Sequence, residues 1–416
     1  MSFVCSYSNF WTRTSVVVIA LFISSSAVAA EKVVLPDDSL TTGIPGRGPL
    51  SVAQIEKWLA NPKNHATLEI ELPIGLDVGR NQVQGLTENP LTRAKIELGR
   101  QLYLDTRLSA DNTVSCASCH SPDQGYSNND TVGEGIGKQR GGRNSPICYN
   151  RILSSTQFWD GRAATLEEQA KGPIANPIEM GNTHEVAVST IKQVPGYLKQ
   201  FEKVFNNGVT IDNVAQAIAA FERVLVTGSS PYDYADRFKT FADYDEEDLA
   251  DIQQDEPEVF ARYEKLKAAV AKQPMTPSAQ RGQVLFFSQR VNCSACHLGA
   301  NLADELYHNL GVSINNPQPD VGRFAVTKDA KDWGAFKTPT IRNVEFSAPY
   351  MHDGSQATLE EVVEHYAKGG VPNKNLSAKI VKIDLTKQEK ADLVAFMKAC
   401  SGPLPFVEQG RLPADK

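Results

Sequence analysis

Cys116-Ala117-Ser118-Cys119-His120 and Cys293-Ser294-Ala295-Cys296-His297 decide how this sequence is read. Two thiols three residues apart lie on one side of a helical turn and reach the two vinyl groups of one haem. The adjacent histidine then swings under the iron as its proximal ligand. A lone Cys-x-x-Cys also suits zinc or a redox disulfide, but neither needs a histidine directly after the second cysteine. Two complete matches predict two covalently bound c-type haems, held by Cys116, Cys119, Cys293 and Cys296, with His120 and His297 on the irons.

Working outward, each site follows a short stretch with helical apolar spacing, Ile96 to Tyr103 and Gly282 to Phe287. A helix ending in an aromatic and then an attachment site is how small c-type cytochrome domains begin. The sequence therefore predicts an all-α chain with two cytochrome c-like domains and haems near their interface. The expected boundaries are a signal peptide over 1–30, an N-terminal extension over 31–87 and a first haem domain over 88–243. An acidic helical linker over 244–280 and a second haem domain over 281–416 follow. The extension reads either as an arm on the C-terminal domain or as a partner-binding segment.

Arg13, the apolar run Val16 to Ile23 and Ala27-Val28-Ala29 form the pattern of a secretory signal with its cleavage site, which predicts a periplasmic protein. A retained N-terminal anchor is the alternative, and no other segment reaches spanning length. Cys5 leaves with the signal. Cys148 and Cys400 then remain, as a disulfide or, the reading preferred here, as separate buried thiols. The formal charge of −7 argues against nucleic acid as a partner. It is compatible with a basic protein partner, and a homodimer is kept open.

The halves repeat beyond the haem motifs. Pro146 to Gln169 (PICYNRILSSTQFWDGRAATLEEQ) aligns without a gap on Pro339 to Val362 (PTIRNVEFSAPYMHDGSQATLEEV). Thr165 and Thr358, each with a glutamate three residues on, predict equivalent helix starts. In the second helix Leu359, Val362, Val363 and Tyr366 share one face, so Tyr366 points inward. The same register pairs Tyr366 with Pro173, which has no group that binds iron. One haem can thus be capped by a tyrosine oxygen while the other stays open. From periodicity alone Tyr366 reads as a core aromatic and Pro173 as a helix terminator, and the asymmetry of the halves is what favours the functional reading. An open haem with a distal carboxylate suits peroxide chemistry. Glu179 is the candidate, with Gln169 as a hydrogen-bonding neighbour, although a glutamate near a loop is ordinarily just solvated. Trp159, paired with His352, is an oxidisable residue suited to relay electrons between haems. In isolation it would be core packing.

These residues resemble the bacterial dihaem cytochrome c peroxidase and MauG family over roughly Leu91 to Gly402. The most specific segments are Phe158 to Arg162, Leu166 to Ala170, Asn176 to Gly181 and Ala348 to Gly354. The resemblance implies a peroxidatic N-terminal haem and an electron-transfer C-terminal haem. It places Gln169, Pro173 and Glu179 in the distal peroxide pocket and Trp159 between the haems. It also implies a calcium ion between the haems, held by Asn144 and the carbonyls of Ser347 and Pro349, hard oxygen donors that suit that ion. Two departures matter. Where many members have a loop histidine that caps the peroxidatic haem, this chain has Ile136, so no reductive activation is expected. Where the sixth ligand of the C-terminal haem is usually methionine, this chain has Tyr366, as in the MauG branch; His365 and Met351 are weaker rivals. The expected function is an exported peroxidase that reduces hydrogen peroxide with electrons from a small cytochrome c or copper protein. The alternatives are a MauG-like enzyme that oxidises a Trp or Tyr of a protein substrate, and a non-catalytic electron-transfer cytochrome.

Overall fold

The structure is a computed structural model that describes residues 1–3 and 30–415. Cys5, Arg13 and Ala27-Val28-Ala29, on which the signal-peptide expectation rests, lie outside the described residues. Among the described residues no helix is long and apolar enough to cross a membrane.

Two helix pairs frame the two halves. Arg93–Leu104 crosses Ile211–Val224 in the first, and Pro277–Phe286 crosses Lys387–Ala399 in the second. Each crossing depends on a glycine. A Cβ on Gly99 would sit 1.9 Å from the Ala217 carbonyl oxygen, and one on Gly282 would sit 1.9 Å from that of Asp392. Without side chains at these points the backbones pack directly, and an aromatic pair seals each crossing. Tyr103 meets Phe221 at 5.2 Å, and Phe286 meets Phe396 at 5.0 Å. Each attachment site follows its first helix by a short loop, so the crossing fixes where the haem is held.

The internal repeat is a repeat of backbone conformation. Asn150 and Asn343 both take left-handed φ of 56°, Phe158 and Met351 take 68° and 71°, and Gly161 and Gly354 take 66° and 67°. Asparagine and glycine tolerate this region; phenylalanine and methionine do so at a cost, held by the bridges that flank them. Those bridges are equivalent too: Gln157 pairs with Ala163, and Tyr350 with Gln356. The expected caps form as two matched hydrogen bonds each. Thr165 Oγ1 accepts from Glu168 N–H at 3.1 Å while Glu168 accepts from Ala164 N–H at 2.8 Å. Thr358 Oγ1 accepts from Glu361 N–H at 3.1 Å while Glu361 accepts from Ala357 N–H at 2.6 Å. The helices Leu166–Ala175 and Leu359–Ala367 begin there.

Around this frame the chain is less modular than its sequence suggests. The N-terminal extension joins the core of the first half and also pairs with the C-terminal tail. Its strand Glu31–Val34 runs parallel to Leu68–Glu71, and Val33, Leu35, Leu40, Leu68 and Leu76 join the core of that half. The C-terminal tail also returns there. Leu50 bridges to Pro413, and the Arg100 guanidinium donates to the Gly410 carbonyl at 3.1 Å. In the opposite sense Pro231–Phe238 leans on the second half, with Tyr232 in its core and Asp233 in a buried ion pair with Arg342 at 2.8 Å. The acidic segment forms two helices, Glu246–Asp255 and Pro257–Lys272, broken at the proline. Tyr263 and Leu266 of the second pack with Phe241. A second small ribbon, Tyr307–His308 against Phe336–Lys337, adds to the otherwise helical second half. Cys148 and Cys400 are free thiols buried in separate cores.

Candidate functional site

One internal cavity of about 730 Å³ is lined by residues of both halves. His120, Gln169, Pro173 and Glu179 face it from the first half, and His297 and Tyr366 from the second. Trp159, Asn144, Ser347 and Pro349 line it as well. Three of the four attachment thiols, Cys119, Cys293 and Cys296, open onto it. Cys116 stands at the other end of the one-turn helix Cys116–Cys119.

The histidines fit iron ligation by what their nitrogens do elsewhere. His297 Nδ1 lies 3.1 Å from the Leu302 carbonyl. That bond places the ring proton on Nδ1 and leaves the Nε2 lone pair for a metal. The His120 ring is buried, which pushes its basicity down to about 4 against the nearby Pro146 and Tyr126 backbone, and its Nδ1 makes no well-formed hydrogen bond among the described residues. A neutral imidazole is what a metal requires. Four other histidines already have hydrogen-bond partners. His65 contacts the Leu59 carbonyl at 2.8 Å, His184 that of Lys171 at 3.0 Å, and His365 that of Leu310 at 3.1 Å. His308 pairs with Asp304 at 2.8 Å. Cys296, Asp304 and His308 bring ligand atoms within 4.8 Å of one another. However, Cys296 belongs to the attachment pair, and Asp304 is already engaged by His308, Thr338 and Lys379.

On the first-half side Gln169 carries a buried Oε1 with no partner. Such an atom invites a donor from the cavity. Pro173 lies in the last turn of its helix, and its carbonyl accepts from Met180 N–H at 3.2 Å. It therefore both faces the cavity and helps end the helix. Glu179 accepts from Asn176 Nδ2 at 2.6 Å. Burial raises its carboxyl above the usual range, against the pull of Arg162 and Asn176. Arg162 is fixed by its stack on Phe158, 3.6 Å from the ring centre, and by Asp160 at 3.1 Å. The loop carrying Ile136 packs on the same turn. Ile136 N–H donates to the Glu179 carbonyl at 2.8 Å, and its side chain abuts Gly181, where a Cβ would fall 2.1 Å from Cδ1. Ile136 itself does not line the cavity.

On the second-half side the Tyr366 hydroxyl has no hydrogen-bond partner among the described residues, and burial raises its titration. Between the sides Trp159 is locked in place. Its Nε1 donates to the Asn144 carbonyl at 2.9 Å, its own carbonyl accepts from Lys337 N–H at 2.8 Å, and Asn144 N–H donates to the His352 carbonyl at 2.8 Å. His352 stacks on Phe336 with ring centres 3.6 Å apart. The Asn144 amide nitrogen donates to the carbonyls of Asp130 and Thr131 at 3.0 and 3.3 Å, and no donor reaches its Oδ1 among the described residues. Reasoning from sequence missed Arg151 and Glu222, both in the cavity wall. The repeat held a signal for Arg151, because its register sets this charge opposite Val344.

Comparison with known proteins identifies relatives of this chain. The profile of the family described as Di-haem cytochrome c peroxidase matches residues 93–240. The methylamine utilization protein MauG of Methylorubrum extorquens is 34% identical over 78% of this chain and 83% of its own. The cytochrome c551 peroxidase of Pseudomonas aeruginosa is 35% identical over 80% of this chain and 86% of its own. Among solved structures, a MauG-like protein associated with microbial copper homeostasis superposes with a TM-score of 0.65 at 30% identity, covering 77% of this chain and 93% of that one. The chain belongs to the dihaem cytochrome c peroxidase and MauG family and is an oxidoreductase of the type that acts on hydrogen peroxide.

Proposed function

We propose that this chain is an exported peroxidase that reduces hydrogen peroxide to water at the His120 side of the cavity. Its electrons come from a small cytochrome c or copper protein and pass through the His297 side. The observation that carries this reading is the asymmetry of one shared cavity. Its first-half wall holds a histidine, an unpartnered amide, a proline and a carboxylate, and its second-half wall holds a histidine and a free tyrosine hydroxyl. His120 and His297 would hold the two irons, with Tyr366 as the sixth ligand of the second and no ligand offered by Pro173 to the first. Haems held there would supply the electrons for O–O cleavage. Glu179 takes the proton from the near oxygen of peroxide and returns it to the leaving oxygen. Gln169 orients the peroxide, and Trp159 couples the two sides. Asn144 Oδ1, with the Ser347 and Pro349 carbonyls, offers hard oxygens that fit a calcium ion joining the halves.

An EPR spectrum of the ferric protein, with and without peroxide, tests the assignment. A high-spin signal that peroxide removes is expected. Six-coordinate low-spin iron at both sites would leave only an electron carrier. The Tyr366 hydroxyl favours a second reading, a MauG-like oxidation of a Trp or Tyr in a protein substrate, because an anionic oxygen ligand stabilises oxidised iron. Rapid peroxide-dependent oxidation of reduced cytochrome c supports the peroxidase. Poor turnover with stoichiometric oxidation of a partner's tryptophan supports the MauG-like enzyme.

A further inference from the structure

Arg151 carries a charge that the protein does not balance. It opens the turn Arg151–Leu153 and lines the cavity. Gln157 grips it: Nε and Nη2 donate to Gln157 Oε1 at 2.8 and 2.6 Å, and Nη2 also donates to the Thr156 carbonyl at 3.1 Å. These acceptors are neutral. Among the described residues Nη1 has no acceptor and no carboxylate forms an ion pair with this guanidinium. Burial is the largest influence on it and works against its charge.

The two acids whose fields reach Arg151 do not neutralise it. Glu305 is ion-paired with Lys337 and accepts from Ser154 Oγ at 3.1 Å. Glu222 is buried with an unpartnered Oε2, and burial pushes its carboxyl up to about 8, so it is mostly neutral at neutral pH. Lys337, from the second half, lines the cavity beside Arg151 and Trp159. Burial and the Arg151 charge press its ammonium down to about 8. Two cations, one from each half, thus share one committed carboxylate. Removing an uncompensated cation from water is costly, so this wall suits an anion. Hydrogen peroxide is neutral. The anionic groups that a c-type haem brings into such a cavity are its propionates.

We infer that Arg151, with Lys337 beside it, is the site that takes a propionate of the His120 haem and fixes that edge of the haem next to Trp159. Arg151 shares its half with His120, and the Glu222 that flanks it also lies close enough to affect the Cys116 and Cys148 thiols. The repeat places Val344 opposite Arg151, so the second haem has no equivalent clamp from this position. Arg151 is a positioning residue: it holds the haem edge and sets the charge beside it. The inference rests on the two-haem reading above.

The test uses the full dihaem protein with Arg151→Gln and Arg151→Lys. Spectroelectrochemical titration from neutral to alkaline pH reads each haem's midpoint potential, and resonance Raman reads the propionate bending band. Loss of a nearby cation favours ferric iron, so Arg151→Gln should lower the midpoint of the high-spin haem. That midpoint should also become pH-dependent, because the freed propionate now titrates, while the second haem stays unchanged. Arg151→Lys keeps the charge but loses the planar fork, so it should hold the potential and shift the Raman band. A two-haem Arg151→Gln protein with unchanged potentials, pH slope and band overturns the inference. If that variant does not fold, an unchanged band in Arg151→Lys overturns it. A wild-type protein with one haem, or with no high-spin signal, would instead overturn the parent reading.

Discussion

Replacing Glu179 with glutamine tests the proposed chemistry most directly. Glutamine keeps the size of the side chain and an oxygen that can accept from Asn176 Nδ2, now at 2.6 Å. The turn Asn176 to Gly181, tied to the Ile136 loop through a backbone bond, should therefore survive. What is lost is the ability to take and return a proton. General acid–base groups contribute roughly 10²–10⁴-fold. At the lower end of that range a fall of about a hundredfold in peroxide cleavage is expected, or about 2.7 kcal/mol. The pH profile gives a second, independent sign. Glu179 acts as a carboxylate, so the rate should fall as pH drops through its titration. Burial raises that titration, which places the acid limb above the usual glutamate range. Asn176 donates to the carboxylate and lowers its titration, so Asn176→Ala should move the limb further toward neutral pH. Glu179→Gln should abolish the limb. Stopped-flow mixing of ferric enzyme with peroxide across pH reads all three. A wild-type rate in Glu179→Gln, or an acid limb that Asn176→Ala leaves in place, would remove Glu179 from the mechanism.

Three further outcomes follow from the geometry. Gly282→Ala in an exposed helix would gain up to about 1 kcal/mol, but here its Cβ lands 1.9 Å from the Asp392 carbonyl oxygen. Overpacking of roughly 1–3 kcal/mol or more wins, so denaturant unfolding should show a loss, and a gain would refute the crossing. Glu222 has a folded titration near 8 against an ordinary 4.5, so the folded state holds an extra proton in that window and stability falls as pH rises through it. Glu222→Gln should flatten this slope, by an amount on the order of a few kcal/mol across the window; parallel melting curves from acid to alkaline pH would contradict it. Ile136 packs against Gly181 and offers no ligand, so fully oxidised enzyme should turn over peroxide without a lag, and a rate that appears only after partial reduction would refute this.

Much of the site was legible because its signals are local. The attachment pairs, the Thr-x-x-Glu caps and the aligned repeat each sit within a few dozen residues, and each corresponds to a local backbone feature of the fold. What sequence could not show depends on distant chain segments meeting. The tail that bridges Leu50 to Pro413 and the extension that joins the first core are set by packing across the whole chain. So is the Asp233–Arg342 pair that carries a first-half segment to the second half. Gly99 and Gly282 sit in plain view in their helices, yet their role is visible only once Ala217 and Asp392 lie against them. Arg151 belongs to no motif, and only the structure shows that among the described residues no carboxylate pairs with it.

The two halves keep one backbone and change what it presents. The left-handed turns at 150 and 343, 158 and 351, and 161 and 354 agree within a few degrees, and the glycine crossings agree to 0.1 Å in their contacts. At positions facing the cavity the same register sets Arg151 against Val344, Trp159 against His352, and Pro173 against Tyr366. The residues after the two sealing aromatics, Glu222 and Met397, differ in the same way and also line it. Backbone turns that hold the chain around a haem tolerate little change, because αL positions and close crossings accept few side chains. Cavity-facing positions outside these turns carry no such restraint. Divergence confined to them alters charge, proton transfer and iron ligation without disturbing the haem's seat. Two haems in one cavity would then meet different chemistry: a cation, a carboxylate and an open face on one side, and an aliphatic wall with a tyrosine on the other.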